Sequence, residues 1–328
     1  MVVALALGAT TTAYANPIPE NGIGIKLLDA PVSRRDDPRA NIYIIDYLPP
    51  STTIQRRVEI KNNTDKPWTV AVYAAAATIH DNAFTFADNR TANELSTWIS
   101  LDRNSVDLPP RGKTTVLATI RVPQHATRGE QYAVIWAQVT AAPTASAGIG
   151  LINRVGVRVY LDVGLGGEPP SDFEIEKLTP VRAKDGRPEV LAQVHNTGAR
   201  AVDITGSLAL SGGPGSLSAG PFTVETGTTM AAGDRATVAV FLDKRLPNGP
   251  WTATLTLMSG LLQRTATATI TFPNMGVGAS IEVRSGWPYD LMMIGLPALL
   301  GVLLLAFLSR AWLRRRRLRA HTEQPDGK

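Results

Sequence analysis

NRVGVRVYLDVG, residues 153 to 164, shows most plainly what kind of fold this 328-residue chain adopts. Apolar residues occupy every second position from Val155 to Val163, with Arg, Gly, Tyr and Asp between them. A period of two is typical of a β-strand with one buried face. The same alternation recurs on both sides, bounded by Pro, Gly, Asn or Asp, at 54–60, 68–72, 116–122, 133–139, 190–194, 202–210, 238–242, 251–257 and 266–272. No stretch of this region has a sustained helical period, so the sequence predicts an all-β protein of antiparallel, immunoglobulin-like sandwiches.

Two sandwiches are predicted, because the strand pattern is interrupted once and then repeated. The interruption is GLGGEPP, residues 164–170, a run of flexible and stiff turn formers typical of a linker. On each side the chain follows the same order: a strand, an Asn-Thr turn, a strand, a Pro or Gly turn, an alternating strand and an aromatic-bearing strand. The turns at 63–65 and 196–198 are expected to close hairpins, since Asn and Gly tolerate positive φ. A ligand contact at these turns is the alternative.

The charges and the lack of cysteine exclude several classes of function. Residues 310–328 hold seven Lys or Arg and two acids, which accounts for the whole net charge of +5, so the rest of the chain is neutral. A neutral globular part has no field that would attract nucleic acid. Without cysteine there is no disulfide, thiolate metal site or cysteine nucleophile.

No constellation of residues indicates catalysis. The four histidines are isolated from other metal ligands, and the Gly-rich segments lack the strand-to-helix context of a phosphate or dinucleotide loop. Arginines lie among the acids of residues 29–46 and are expected to pair with them. The strand tryptophans are interpreted as packing residues, with a carbohydrate-stacking platform as the alternative; they are Trp68, Trp98, Trp136 and Trp251. We therefore predict a non-enzymatic protein with no cofactor and no metal.

The N-terminal end predicts export. Residues 1–15 form an uncharged apolar run that ends in a small-x-small pattern. Ala13 and Ala15 mark the predicted signal-peptidase site, and cleavage would leave Asn16 as the new N-terminus.

The C-terminal end predicts a membrane anchor. Residues 291–308 are eighteen positions without a charge, which suffices for a helix across a hydrocarbon layer of roughly 30 Å. Trp287, Tyr289 and Trp312 stand at the two expected membrane interfaces. The residues expected to keep the tail cytoplasmic are Arg310, Arg314, Arg315, Arg316, Arg317 and Arg319. The predicted division is a signal peptide (1–15), two β-sandwiches (16–165 and 166–273), a juxtamembrane linker (274–290), a transmembrane helix (291–308) and a basic cytoplasmic tail (309–328).

In order and spacing these features resemble the WxL-interacting protein family of Gram-positive bacteria. The resemblance is carried by NNTDKPWTV (62–70), PPRGKTTVLATIRVP (109–123), NRVGVRVYLDVG, VHNTGARAVDI (194–204) and MAAGDRATVAVFLDKRLPNGPW (230–251), followed by the single helix and basic tail. It implies a peptidoglycan-binding first domain, a second domain that contacts other surface proteins or host components, and an adhesive or scaffolding role at the cell wall. The Ala- and Arg-rich composition suits an actinobacterial member.

Three functions remain open from the sequence. The main prediction is a non-enzymatic cell-envelope binding or scaffold protein, single-pass in the plasma membrane with both sandwiches outside, that associates with peptidoglycan and another surface protein. The alternative is an immunoglobulin-like assembly chaperone for surface or pilus subunits, because open sandwiches expose strand edges. A membrane-anchored hydrolase is the third, and a concave cluster of Ser or Asp with His would favour it.

Overall fold

The structure, a computed structural model, describes residues 22–141 and 151–283, and there it is almost entirely β. The prediction of an all-β fold of sandwiches is confirmed. The described residues form two sandwiches, each with its own hydrophobic core. Beside the strands they contain one short helix, α1 (Glu94–Trp98), and two 3-10 turns (Val32–Arg34 and Pro214–Ser216).

The first sandwich places a four-stranded sheet against a six-stranded one. The sheets have the orders β1-β3-β8-β6 and β2-β10-β9-β4-β5, and β7 also pairs with β4. Every pair is antiparallel except β2 with β10. The strands are β1 (Ile23–Leu27), β2 (Ile44–Leu48), β3 (Thr53–Asn62), β4 (Trp68–His80), β5 (Ala83–Phe86), β6 (Ile99–Leu101), β7 (Ser105–Leu108), β8 (Lys113–Arg121), β9 (Gly129–Ala141) and β10 (Leu151–Val163).

The second sandwich has the orders β17-β12-β11-β20 and β15-β14-β18-β19, with β21 also paired to β11 and a small β13-β16 sheet beside them. Trp251 is fully buried at its centre. β20 and β21 lie in the segment 274–290 that the sequence suggested as a linker. The strands are β11 (Glu174–Arg182), β12 (Pro188–His195), β13 (Val202–Asp203), β14 (Thr205–Ser211), β15 (Ala219–Thr223), β16 (Thr229–Met230), β17 (Arg235–Phe241), β18 (Gly249–Ser259), β19 (Leu262–Phe272), β20 (Gly276–Val277) and β21 (Ile281–Glu282).

The period of two explains both cores. On β10, Val157, Val159 and Leu161 point into the first core and are buried, as the alternation predicts. On β18 the same spacing buries Trp251 and Leu255. Burial of such alternating apolar side chains from two facing sheets is what holds an antiparallel sandwich together.

A buried asparagine stands at the equivalent place in each sandwich, Asn62 at the end of β3 and Asn196 directly after β12. Each side-chain oxygen accepts from a backbone N–H two residues on, and each amide nitrogen donates to carbonyls of two separate segments. The acceptors are Lys66 and Pro109 for Asn62, at 2.7 and 2.9 Å, and Arg200, Met230 and Ala231 for Asn196, at 2.8, 3.1 and 2.9 Å.

The expectation that these turns close hairpins was wrong. β3 and β4 belong to different sheets, and β12 does not pair with β13. None of residues 63–65 or 196–198 has a positive φ. The asparagines are there because a buried amide can satisfy several carbonyls where the chain crosses between sheets, which local turn geometry does not reveal.

Candidate functional site

One edge of β10 in the first sandwich is unpaired over part of its length. On one side β10 pairs with β9 along its whole length. On the other side β2 covers only Val159–Val163. Among residues 22–141 and 151–283, no strand pairs with the outer side of 151–158, so this stretch presents a row of unpaired backbone N–H and C=O groups. We call it the open edge.

Side chains alternate along the open edge. Val155 and Val157 face the core of the first sandwich, Val157 buried and Val155 half-buried against it. Ile152 is 60% exposed, and Arg154 and Gly156 lie on the opposite, outer face. An added strand could therefore extend both the backbone ladder and the apolar core.

The outer face beside the open edge carries a stack of side chains. Trp136 of β9 is only 5% exposed and leans over Gly156, where an added Cβ would lie 2.6 Å from Val134 and 2.7 Å from the indole. The Arg154 guanidinium lies 4.5 Å above the Trp136 ring, and Phe86 meets that ring edge-on at 4.8 Å. Glycine at 156 is thus required for the indole to reach the edge of the sheet.

The other half of β10 is covered by the second sandwich. Tyr160, which alternation places on the solvent side, is fully buried, and its hydroxyl donates to Asp203 of β13 at 2.9 Å. The same carboxylate accepts from Arg39 Nε at 2.8 Å and from Thr229 Oγ1 at 2.6 Å, and Arg158 lies 3.3 Å away. Asp203 therefore ties the two sandwiches together.

Burial and charge shift the pKa values of this group. Burial, followed by the Asp203 charge, raises the pKa of the Tyr160 hydroxyl, which keeps it a hydrogen-bond donor. Burial, the largest single influence, lowers the pKa of Arg39, but the charges of Asp203, Tyr160, Glu130 and Asp37 together outweigh it, and the pKa is raised. Arg39 accordingly stays charged in the interface.

A second ionic group lies next to the first. Arg200 is 3% exposed and contacts Glu130, Asp162 and Glu168. Glu130 also accepts from the backbone N–H of Ala201 at 2.6 Å. Burial raises the pKa of both Glu130 and Asp162.

Sequence reasoning missed these interface residues, because nothing local marks them. Arg39 was expected to pair with acids of residues 29–46, and it pairs instead with Asp203, 164 positions away. Arg34 does contact Asp37, at 3.7 Å. Glu130 and Asp162 sit at strand positions that a half-buried sheet would leave in water.

Two histidines expected to be isolated have charged neighbours. His80 lies 3.3 Å from Asp81 at an exposed turn. His195 lies 3.5 Å from Glu176 and 3.2 Å from Arg235. Of the tryptophans, Trp251 is in a core, and Trp136 packs on the outer face of a sheet.

The predicted terminal features fall outside the described residues. These are the cleavage site at Ala13 and Ala15, the span 291–308, its interface residues Trp287, Tyr289 and Trp312, and Arg310, Arg314, Arg315, Arg316, Arg317 and Arg319. Within 22–141 and 151–283, no helix has the length and apolar character needed to cross a membrane. On that finding the plasma-membrane localisation predicted from the sequence is corrected.

No family model and no curated protein matches this chain. Solved structures with a similar fold include the YadV chaperone (10% identity, 75% of this chain and 99% of that one, TM-score 0.40). The SafB chaperone in complex with Salmonella enterica SafA pilin gives 10% identity, 85% and 100% coverage and a TM-score of 0.39. A family 123 glycoside hydrolase from Clostridium perfringens also matches, at 7% identity, 43% and 27% coverage and a TM-score of 0.29.

The resemblance to the WxL-interacting protein family is corrected, because no family model matches the chain. At such low identities and TM-scores the likeness to the solved structures concerns the fold alone. Peptidoglycan association finds no support in the comparisons.

Proposed function

We propose that this chain is a non-enzymatic, immunoglobulin-like assembly chaperone that holds an extended segment of a surface or pilus subunit by strand pairing. The observation that carries this is the open edge, eight consecutive residues of β10 whose outer side has no partner strand among the described residues.

The edge has the features that strand addition requires. It is continuous with a strand paired throughout to β9, so an added strand joins an established sheet. Its inner-face residues Val155 and Val157 adjoin the core of the first sandwich, where alternate apolar side chains of a partner would be buried. No proline interrupts residues 151–158, and proline is one device by which natural edges avoid pairing.

The sandwich interface supplies a rigid base for the edge. Asp203 fixes Tyr160 and Arg39, and Arg200 contacts Glu130 and Asp162, all within or next to the covered half of β10. Because one half of β10 is anchored, the other half is held in an extended conformation with its outer side unpaired. Preorganisation of this kind lowers the entropy that binding must overcome.

Site-specific crosslinking in cells that produce the protein tests the proposal. A photo-crosslinking amino acid replaces Ile152, 60% exposed on the open edge, or Leu261, 69% exposed at the turn between β18 and β19, as the matched control. We expect Ile152 to capture a surface or pilus subunit that Leu261 does not capture. Equal capture at both positions, or Ile152 adducts that contain no surface subunit, would contradict strand pairing at this edge.

A further inference from the structure

The outer face of the open edge carries an arginine without an ion pair. The Arg154 guanidinium contacts the Trp136 ring, and no carboxylate among residues 22–141 and 151–283 pairs with it. Arg90 is in the same situation over Tyr73, at 4.4 Å. Arg158, on the same strand as Arg154, does pair with an acid, Asp203.

These two stacks lie side by side. Tyr73 of β4 is directly paired with Trp136 of β9, which in turn is directly paired with Gly156 of β10. Tyr73, Trp136 and Gly156 therefore form a row across three neighbouring strands, and this row ends at the open edge. Stacking on an aromatic face orients a guanidinium and leaves its N–H groups free at the rim of the plane, where they can bind a carboxylate.

Strand geometry determines which partner side chain reaches this row. Directly paired residues of two strands project on the same face, about 5 Å apart. A residue of an added strand opposite Gly156 therefore projects beside the indole and the Arg154 guanidinium. Because Gly156 has no side chain, nothing on β10 itself stands between them.

We propose that the segment bound at the open edge carries Asp or Glu at the outer-face position opposite Gly156, and that Arg154, stacked on Trp136, selects it. This rests on the proposed strand pairing and adds the chemistry of the partner. The inner face of β10 then provides apolar contact to any alternating segment, while Arg154 distinguishes among segments by charge.

The test uses three fluorescein-labelled peptides of alternating Val and Thr, identical except for Glu, Gln or Lys at the central outer-face position. Their binding to the full chain is followed by fluorescence anisotropy. We expect the Glu peptide to bind about two- to five-fold more tightly than the Gln peptide, the range of a cross-strand ion pair. Arg154→Gln should abolish this preference, and Arg154→Glu should transfer it to the Lys peptide.

Two controls separate the possible results. Arg121→Gln makes the same charge change at an exposed position of β8 and should leave the Glu preference intact. Ile152→Cys, in a chain that has no cysteine of its own, should form a disulfide, with dissolved oxygen as the oxidant, with a version of the peptide that carries a cysteine, if the peptide lies on the open edge. Equal affinity of the Glu and Gln peptides together with that disulfide overturns the acidic preference and leaves strand pairing standing. Failure of all three peptides to bind overturns strand pairing and the preference with it.

Discussion

The two halves of β10 share one sequence pattern and have opposite surroundings. Residues 159–163 are paired on both sides and buried on both faces, because β2 and the second sandwich cover them. Residues 151–158 are paired on one side only, and their outer face holds Arg154 in place of a buried tyrosine. The contrast shows that alternation specifies a strand and its inner face, while tertiary partners decide whether the other face and the edge are used for folding or left for binding.

The largest expected effect lies in the covered half. Asp203→Ala removes the carboxylate that binds Arg39, Tyr160 and Thr229, which leaves a buried guanidinium without its counterion. We expect the free energy of unfolding to fall by about 3 kcal/mol or more, measured by urea denaturation of the full chain. Asp243→Ala, which removes the exposed ion pair with Arg245 and a hydrogen bond from the Arg245 backbone N–H, is the control and should lower the midpoint far less. An equally small effect at Asp203 would show that the interface does not depend on this carboxylate.

Amide hydrogen exchange compares the two halves of β10 directly. Amides of residues 151–158 that point away from β9 have no acceptor strand among the described residues, whereas those of 159–163 face β2. We expect the outward amides of the open edge to exchange about 100-fold faster or more. Adding the subunit identified by crosslinking should slow them. Uniform protection along β10 in the free protein would mean that another segment covers the edge.

Gly156→Val tests how the open half is built. The new Cβ would lie 2.6–2.9 Å from Val134 and Trp136, so the indole must move. We expect a loss of about 1–3 kcal/mol in unfolding free energy and a red shift of tryptophan emission. Ile152→Val, on the same exposed edge, should change neither quantity. An unshifted emission spectrum in Gly156→Val would contradict the packing of Trp136 over this glycine.

Sequence reasoning predicted the fold class and the inner face of β10, because period-two alternation depends on local geometry. It placed Tyr160 and Asp162 in water, because nothing near them in the chain announces that Asp203 and Arg200 will cover them. It also assigned the Asn turns to hairpins, since it could not see that Asn62 and Asn196 satisfy carbonyls more than thirty residues away. The open edge was foreseen only as a general property of sandwiches, since choosing one strand requires knowing where β2 stops.

The smallest expected effect is a pH dependence in the covered half. Burial raises the pKa of Glu130 above its ordinary value of 4.5, so folding favours the protonated acid. Its contribution to stability is therefore fully present below about pH 4.5 and is lost as the pH rises through the raised pKa. Carboxyls with lowered pKa values, such as Asp29 beside Arg57, stabilise the folded state above pH 3.8. Their contribution is lost only as the pH falls below that value. Glu130→Gln should flatten the decline in urea midpoint between pH 4.5 and neutrality, while Glu94→Gln, on α1, should reproduce the wild-type slope. If Glu130→Gln instead leaves the decline unchanged, the pKa of Glu130 is not raised, and its ion pair with Arg200 offsets the effect of burial.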